Sequence, residues 1–325
     1  MSLGLVADIG GTNVRFALTD VDAQRPSFDN EKKYATKAHG DIAGAAKAYL
    51  DDLNFKGEIA GLVFGVAGPV QHGAIHLTNA GWTISEDDLR QKLKIPFARV
   101  LNDYETLAEA VPEFQPQDLK QIGPLEFMNR RTGTMAIVGP GTGLGVGGLI
   151  RSNDATLPLV TEGGHANFAP TDDVEIEVLR VLLKKFGRVS NERLISGPGL
   201  QNLYAAMAQI EGRKPDEPEP EDITKTAREK PDSFEARVFG RFCAILGSVA
   251  GDYALGMGAR GGVLIAGGIL PDAVEFFVAS DFRKRFEDKG RFADYMKAIP
   301  TALIVDDHAG LRGAAAILRL ELGKR

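Results

Sequence analysis

Leu3-Gly4-Leu5-Val6-Ala7-Asp8-Ile9-Gly10-Gly11-Thr12-Asn13-Val14-Arg15-Phe16-Ala17-Leu18 opens the chain with an apolar run, a glycine turn and an alternating run. Leu3 to Asp8 reads as a buried strand, because a short apolar run closed by a turn signal suits a strand covered on both faces. Gly10 to Asn13 is the turn, and Val14 to Leu18 alternates as a second strand. The same plan returns roughly 130 residues later: Thr134 to Val138, then Gly139-Pro140-Gly141-Thr142-Gly143, then Leu144 to Ile150. Two such hairpins predict duplicated half-domains around one cleft.

The elements between them alternate in type. Helices are predicted over Ile42 to Leu53 with Asp41 as N-cap, over Glu86 to Leu93 with Ser85 as N-cap, and over Tyr104 to Val111. Buried strands are predicted over Ile59 to Ala67, closed by Gly68-Pro69, and over Ala98 to Asp103. The later chain is mostly helical, over Val174 to Phe186, Gly199 to Ile210 and Ser233 to Met257, with strands at Val263 to Ala266 and Ala302 to Val305 and a last helix over Gly310 to Leu322. Glu211 to Pro231, rich in Pro, Asp, Glu and Lys, reads as a solvated connection. Alternating strands and helices mean an α/β fold.

Composition bounds the function. The chain has 325 residues, and a single core stops growing near ~250–300, so two domains are expected. Hydrophobic residues make up 44% and charged residues 25%, ordinary values that argue against extended disorder. The net charge of −6 argues against a general nucleic-acid binder. It leaves room for a local anion pocket. Cys243 is the single cysteine, so no internal disulfide and no multi-cysteine zinc site is expected. The N-terminus lacks a basic leader, Asp8 interrupts its apolar run, and no uncharged apolar stretch reaches the ~18 residues of a membrane span. A cytoplasmic protein with no membrane and no nucleic-acid partner is the expectation.

Six segments carry candidate chemistry. At Asp8 to Asn13, glycine N–H groups can cradle an anion, Asp8 can hold Mg²⁺, and Thr12 or Arg15 can reach phosphate oxygens; the alternative is a plain hairpin turn. Gly143-x-Gly145-x-x-Gly148 matches a dinucleotide fingerprint in form only, since a strand stands where a helix must begin. A second phosphate turn over Gly141, Thr142 and Gly143 fits better. Asn102-Asp103 ends a strand, which suits Asp103 as a base and Asn102 as a hydroxyl binder; the alternative is an Asp capping the next helix. Glu162-Gly163-Gly164-His165 sets two polar side chains about two glycines, suited to the hydroxyls of one ligand or to a decorated turn; zinc is disfavoured, since the chain has five histidines and none at ligand spacing to His165. Glu192 alone reads as a solvated acid. Gly267 and Gly268 follow a buried strand and leave space for a flat adenine or for close packing. Trp82 reads as a packing residue.

In their joint order, Asp8–Leu18, Phe64–Pro69, His76–Trp82, Leu101–Val111, Gly139–Gly148, Glu162–Pro170, Val189–Tyr204 and Gly261–Pro271 resemble the bacterial glucokinase family of the sugar kinase and actin superfamily. The resemblance implies a two-domain actin-like (ribonuclease H-like) ATPase fold with a cleft between the domains. The small domain is expected at 1–112 plus about 306–325, with the last helix packed back on it, and the large one at 113–305. It implies ATP-dependent phosphorylation of D-glucose to glucose 6-phosphate with Mg²⁺, as the first step of glycolysis, by a homodimer. Asp103 would be the base. Asn102, Asp103, Glu162, His165 and Glu192 would bind sugar. Asp8, Gly10, Gly11, Thr12, Asn13, Gly141, Thr142, Gly143, Gly267 and Gly268 would bind the nucleotide, with Asp8 also at the metal. The related repressor/kinase family carries a cysteine-rich zinc motif, which a chain with one cysteine lacks. A kinase for another hexose or an N-acylhexosamine remains open, as does a non-enzymatic sugar sensor or an actin-like assembly module. A sensor acting on transcription would need a DNA-binding appendage, and the first strand at Leu3 is expected to leave no room for one.

Overall fold

The structure, a computed structural model, describes residues 2–77, 80–127, 132–153, 155–214 and 216–323. Thr78 and Asn79 of the His76–Trp82 stretch, Pro215 of the Glu211–Pro231 stretch, and Lys324 and Arg325 lie outside the described residues. The chain divides into two compact units, Met1–Gln115 with Asp306–Arg325, and Pro116–Val305.

The first unit begins with β1 (Leu3–Ile9), β2 (Asn13–Asp20) and β3 (Asp29–Ala35), an antiparallel meander. Helix α1 (Ile42–Asp52) follows, then β4 (Ile59–Val66), a small hairpin of β5 (Ala74–Leu77) and β6 (Trp82–Ser85), α2 (Glu86–Leu93), β7 (Ala98–Asn102) and α3 (Asp103–Ala110). The sheet order is β3-β2-β1-β4-β7, with β4 parallel to β1 and to β7. Asp41 caps α1 by accepting the Gly44 N–H at 2.7 Å, and Ser85 caps α2 by accepting the Asp88 N–H at 3.2 Å. Strand periodicity decides which side chains go to which face. Leu5, Ala7, Ile9, Phe16 and Phe64 pack with Ile42, Tyr49, Leu89 and Trp82 on one side. Val6, Ala17 and Val63 belong to the core on the other. Trp82 is a packing residue, as expected, and its indole N–H donates to the His39 carbonyl.

The second unit repeats the plan. It contains β8 (Leu119–Ile122), β9 (Thr132–Pro140), β10 (Leu144–Ser152), β11 (Ala155–Thr161), α4 (Asp173–Phe186), α5 (Gly197–Ile210), α6 (Pro220–Glu229), α7 (Phe234–Met257), β12 (Gly262–Ile265), α8 (Val274–Ala279), α9 (Phe282–Glu287), α10 (Ala293–Lys297) and β13 (Thr301–Ile304). Its order is β11-β10-β9-β12-β13-β8. The first five strands pair as in the first unit: antiparallel, antiparallel, parallel, parallel. Helix α7 is long and apolar enough to cross a membrane, yet Phe239, Phe242, Ile245 and Leu246 along it are wholly buried in this unit's core. The last helix, α11 (Ala309–Glu321), returns to the first unit. Its Leu311, Ala314, Ala315 and Leu318 pack with Val6 and Val63, as the family resemblance implied.

The Glu211–Pro231 stretch is not simply a solvated connection. Pro220 opens α6, and Ile223 and Ala227, one turn apart, are buried against the core. The acidic composition masked this short amphipathic pattern. Strands β3, β8 and β11 were also missed: β3 is polar, β8 is short, β11 is interrupted by Pro158, and all three lie at sheet edges, where one face stays wet.

Candidate active site

Ligands of parallel sheets bind beyond the carboxyl ends of the strands. In the first unit those ends carry Asp8 on β1, Gly68 just after β4, and Asn102 on β7. Asn102 donates from its side-chain nitrogen to the Gly68 carbonyl at 2.9 Å, and its side-chain oxygen accepts the Tyr104 N–H at 2.9 Å. It is therefore Asn102 that occupies the N-cap position of α3, with Asp103 as the first helical residue. Asp103 still shares in the capping, since its Oδ1 accepts the same Tyr104 N–H at 3.0 Å. Asn102 retains a second amide hydrogen and a second lone pair for a ligand.

Asp8 is half-buried. Burial raises its pKa, and the Arg15 charge opposes that shift. Gly310 in the first turn of α11 lies against it: a Cβ there would stand 3.2 Å from the Asp8 Cγ. Arg15 is not free to reach phosphate as the sequence suggested. Its guanidinium donates to the Asp307 carbonyl at 2.6 Å and pairs with Glu31 at 3.2 Å. The Gly10–Asn13 turn closes by a Gly10 N–H to Asn13 carbonyl bond of 2.9 Å, and the Asn13 amide donates to the Thr12 hydroxyl.

In the second unit the turn Gly141–Thr142–Gly143 joins β9 to β10. Glu192 is not a solvated acid. Its Oε2 accepts the Leu144 N–H at 3.0 Å, and its Oε1 stands 3.8 Å from His165 Nδ1. Gly143 has no room for a side chain, since a Cβ would come within 2.6 Å of Glu192 Oε2. The Glu162–His165 turn is fixed by close approach as well. A Cβ on Gly164 would come within 2.0 Å of the Leu144 carbonyl oxygen. Glu162 bridges to Val146, and Thr161 donates its hydroxyl to the Val146 carbonyl at 2.7 Å. The start of β10 thus gathers the glycine turn, Glu192 and the Glu162–His165 turn. Sequence spacing did not join Glu192 to them.

Gly267, at φ +90°, lies so close to Pro140 that a Cβ would come within 2.1 Å of its carbonyl oxygen. Gly268 faces open space. It lines a pocket of about 430 Å³ together with Gly141, Thr142, Pro198, Gln201 and Thr224. The walls from α5 and α6 were missed by sequence reasoning. The proline at the start of α6 was the usable signal.

Two units whose sheets share one five-strand order, with a glycine turn between β1 and β2 in the first and between β9 and β10 in the second, give the chain the actin-like ATPase fold of sugar kinases. The glucokinase family model matches residues 5–321. A glucokinase from Caulobacter sp. (strain K31) is 48% identical over 318 residues, 98% of this chain and 95% of that protein. One from Xanthomonas campestris pv. campestris (strain 8004) is 44% identical over 320 residues, 96% of this chain and 93% of that protein. The crystal structure of a glucokinase from an Antarctic psychrotroph superimposes with TM-score 0.86 at 33% identity, over 98% of this chain and 99% of that one. A ROK family glucokinase from Streptomyces griseus, in complex with glucose and AMPPNP, shares the fold with TM-score 0.66 at 20% identity, over 97% and 99%. The chain belongs to the glucokinase family, and it is an enzyme, a glucose kinase.

Proposed function

We propose that the chain transfers the γ-phosphoryl of ATP to the 6-hydroxyl of D-glucose with Asp103 as the base. The observation that carries this is the Glu192 carboxylate. One oxygen holds the Leu144 N–H, just after the Gly141–Gly143 turn, and the other faces His165. Groups suited to phosphate and groups suited to sugar hydroxyls therefore share one anchor.

Phosphoryl transfer passes through a loose transition state, so positioning and charge stabilisation do most of the work. Glu162, His165, Glu192 and Asn102 bind sugar hydroxyls. Asp103 accepts the 6-hydroxyl proton as that oxygen bonds to the γ-phosphorus. The bond from the γ-phosphorus to its bridging oxygen breaks, leaving ADP. N–H groups of Gly11 and Gly143, with Thr12, Asn13 and Thr142, hold phosphates, while those of Gly10 and Gly141, expected from the sequence to do the same, close their own turns onto the Asn13 and Gly143 carbonyls. The pocket beside Gly267 and Gly268 takes the adenosine, and its volume suits a nucleoside. A site built to pair with hydroxyls rejects a sugar lacking one.

Among the described residues no group of three or more His, Cys, Asp or Glu could hold a metal. That fits Mg²⁺, which binds through one or two carboxylates with the rest of its shell from phosphates and water. Asp8 is the carboxylate that would hold it. When bound, Mg²⁺ supplies charge neutralisation at the β- and γ-phosphate oxygens.

A cytoplasmic homodimer performing the first step of glycolysis completes the reading. Exposed Leu157 and Val160 on the edge strand β11 offer an apolar surface for a second copy. ADP release measured with and without glucose tests the function. Release that depends on glucose is expected, and equal release without sugar overturns the reading. A mannose, fructose and N-acetylglucosamine panel separates glucose from other hexoses by kcat/KM.

A further inference from the structure

Two short turns carry the second unit's sugar-binding candidates, Glu162–His165 and Asn191–Arg193. Neither is a regular element long enough to hold its own shape. Tyr253 on α7 reaches the first. Its hydroxyl donates to the Gly163 carbonyl, which also accepts the Ala166 N–H at 2.8 Å, and the Ala166 carbonyl accepts the N–H of buried Asn191 at 2.9 Å, joining the two turns through their backbones. The ring also packs on Gly163, where a Cβ would stand 3.0 Å from Tyr253 Cε1 and Cζ. Burial raises the phenol's pKa, so the hydroxyl keeps its proton at neutral pH. Arg188 adds a second tie by donating to the His165 carbonyl and, at 2.9 Å, to the Asn167 side chain.

We propose that Tyr253 is a positioning residue for sugar recognition, whose hydroxyl anchors the Glu162–His165 turn to α7. It acts through the backbone of Gly163. The inference rests on the sugar-site reading above and goes beyond it, because Tyr253 is assigned no contact with substrate. A core aromatic would need only its ring. The hydroxyl, bonded to the Gly163 carbonyl, has no packing purpose that phenylalanine would not meet.

The test is Tyr253→Phe in the full-length enzyme, with initial rates against glucose and ATP, and with thermal unfolding. Losing this bond leaves the Gly163 carbonyl with the Ala166 N–H alone and loosens the Glu162–His165 turn. The expected result is a KM for glucose about tenfold higher, equivalent to about 1.4 kcal/mol, with kcat, the KM for ATP and the melting temperature close to wild type. Gly163→Ala disturbs the same contact from the other side and is expected to raise the KM for glucose in the same selective way. Wild-type KM for glucose in both variants overturns the inference. A melting temperature that drops while all kinetic parameters worsen together also overturns it, since that marks a structural role only. Glu162→Ala serves as the control. An unchanged KM for glucose there overturns the sugar-site reading together with this inference. A raised KM there, with wild-type values in Tyr253→Phe, overturns this inference alone.

Discussion

The two sheets share one topology, yet their glycine turns answer to different demands. In the first unit, a Cβ on Gly10 would meet only the Asn13 carbonyl, at an ordinary 3.6 Å. In the second, Gly143 is pressed against Glu192 and Gly267 against Pro140, although Gly141 faces open space. The first turn stands at the end of a strand carrying Asp8, and the second is stitched to side chains from distant turns. The comparison teaches that the same hairpin plan can leave a glycine free for a ligand or commit it to packing. Only the neighbours decide which.

The largest expected effect separates the units by kinetic constant. Asp103→Asn, in the first unit, loses on the order of 10²–10⁴ in kcat and keeps its KM for glucose. Glu162→Ala, in the second, mainly raises the KM for glucose. Steady-state rates over a glucose titration check both, and the division of labour fails if the two variants behave alike. Next in size, Gly267→Ala is expected to destabilise by about 3 kcal/mol through backbone strain and collision with Pro140, while Gly268→Ala leaves the melting temperature near wild type. Equal melting temperatures would break the distinction between packed and open glycines. Smaller again, Gly10→Ala keeps its stability and raises the KM for ATP alone, whereas Gly143→Ala displaces Glu192 and raises the KM for both substrates.

The smallest effect contrasts two aspartates by pH. Asp172, the N-cap of α4, accepts the Glu175 N–H and pairs with Arg241 and Arg285. Burial pushes its pKa up, but these partners win and hold it below the ordinary value of 3.8. Its contribution is therefore present above the unfolded value and lost as pH falls through the folded one. Asp172→Asn costs about 1 kcal/mol at pH 7, and the difference in melting temperature shrinks below roughly pH 4. Asp8 has the opposite sign. Its pKa is raised, so its favourable share exists below the unfolded value and is lost as pH rises through the folded one. Asp8→Asn is expected to raise the melting temperature slightly at pH 7 while activity falls, a trade seen where a buried charge serves function. Melting curves from pH 3.5 to 7.5 compare the two, and parallel behaviour would refute the contrast.

Much of the fold was legible because its signals are local. The apolar runs at Leu3–Ile9 and Ile59–Val66, the caps at Asp41 and Ser85, and both glycine turns act over a few residues. The residues nominated for chemistry were legible for the same reason, since Asp8, Asn102 and Asp103 each sit where a strand ends or a helix begins.

What tertiary structure alone decided is how distant pieces meet. Glu192 reaches the Leu144 N–H from 48 residues away, and Tyr253 reaches Gly163 from 90. Helix α6 becomes a pocket wall although its segment is mostly charged. Periodicity and turn chemistry choose each element's conformation, but they carry no information on which carboxylate another strand's N–H will find. That depends on the path of the chain and on burial in a shared core, where an unpaired polar group is costly and partners are therefore strictly chosen.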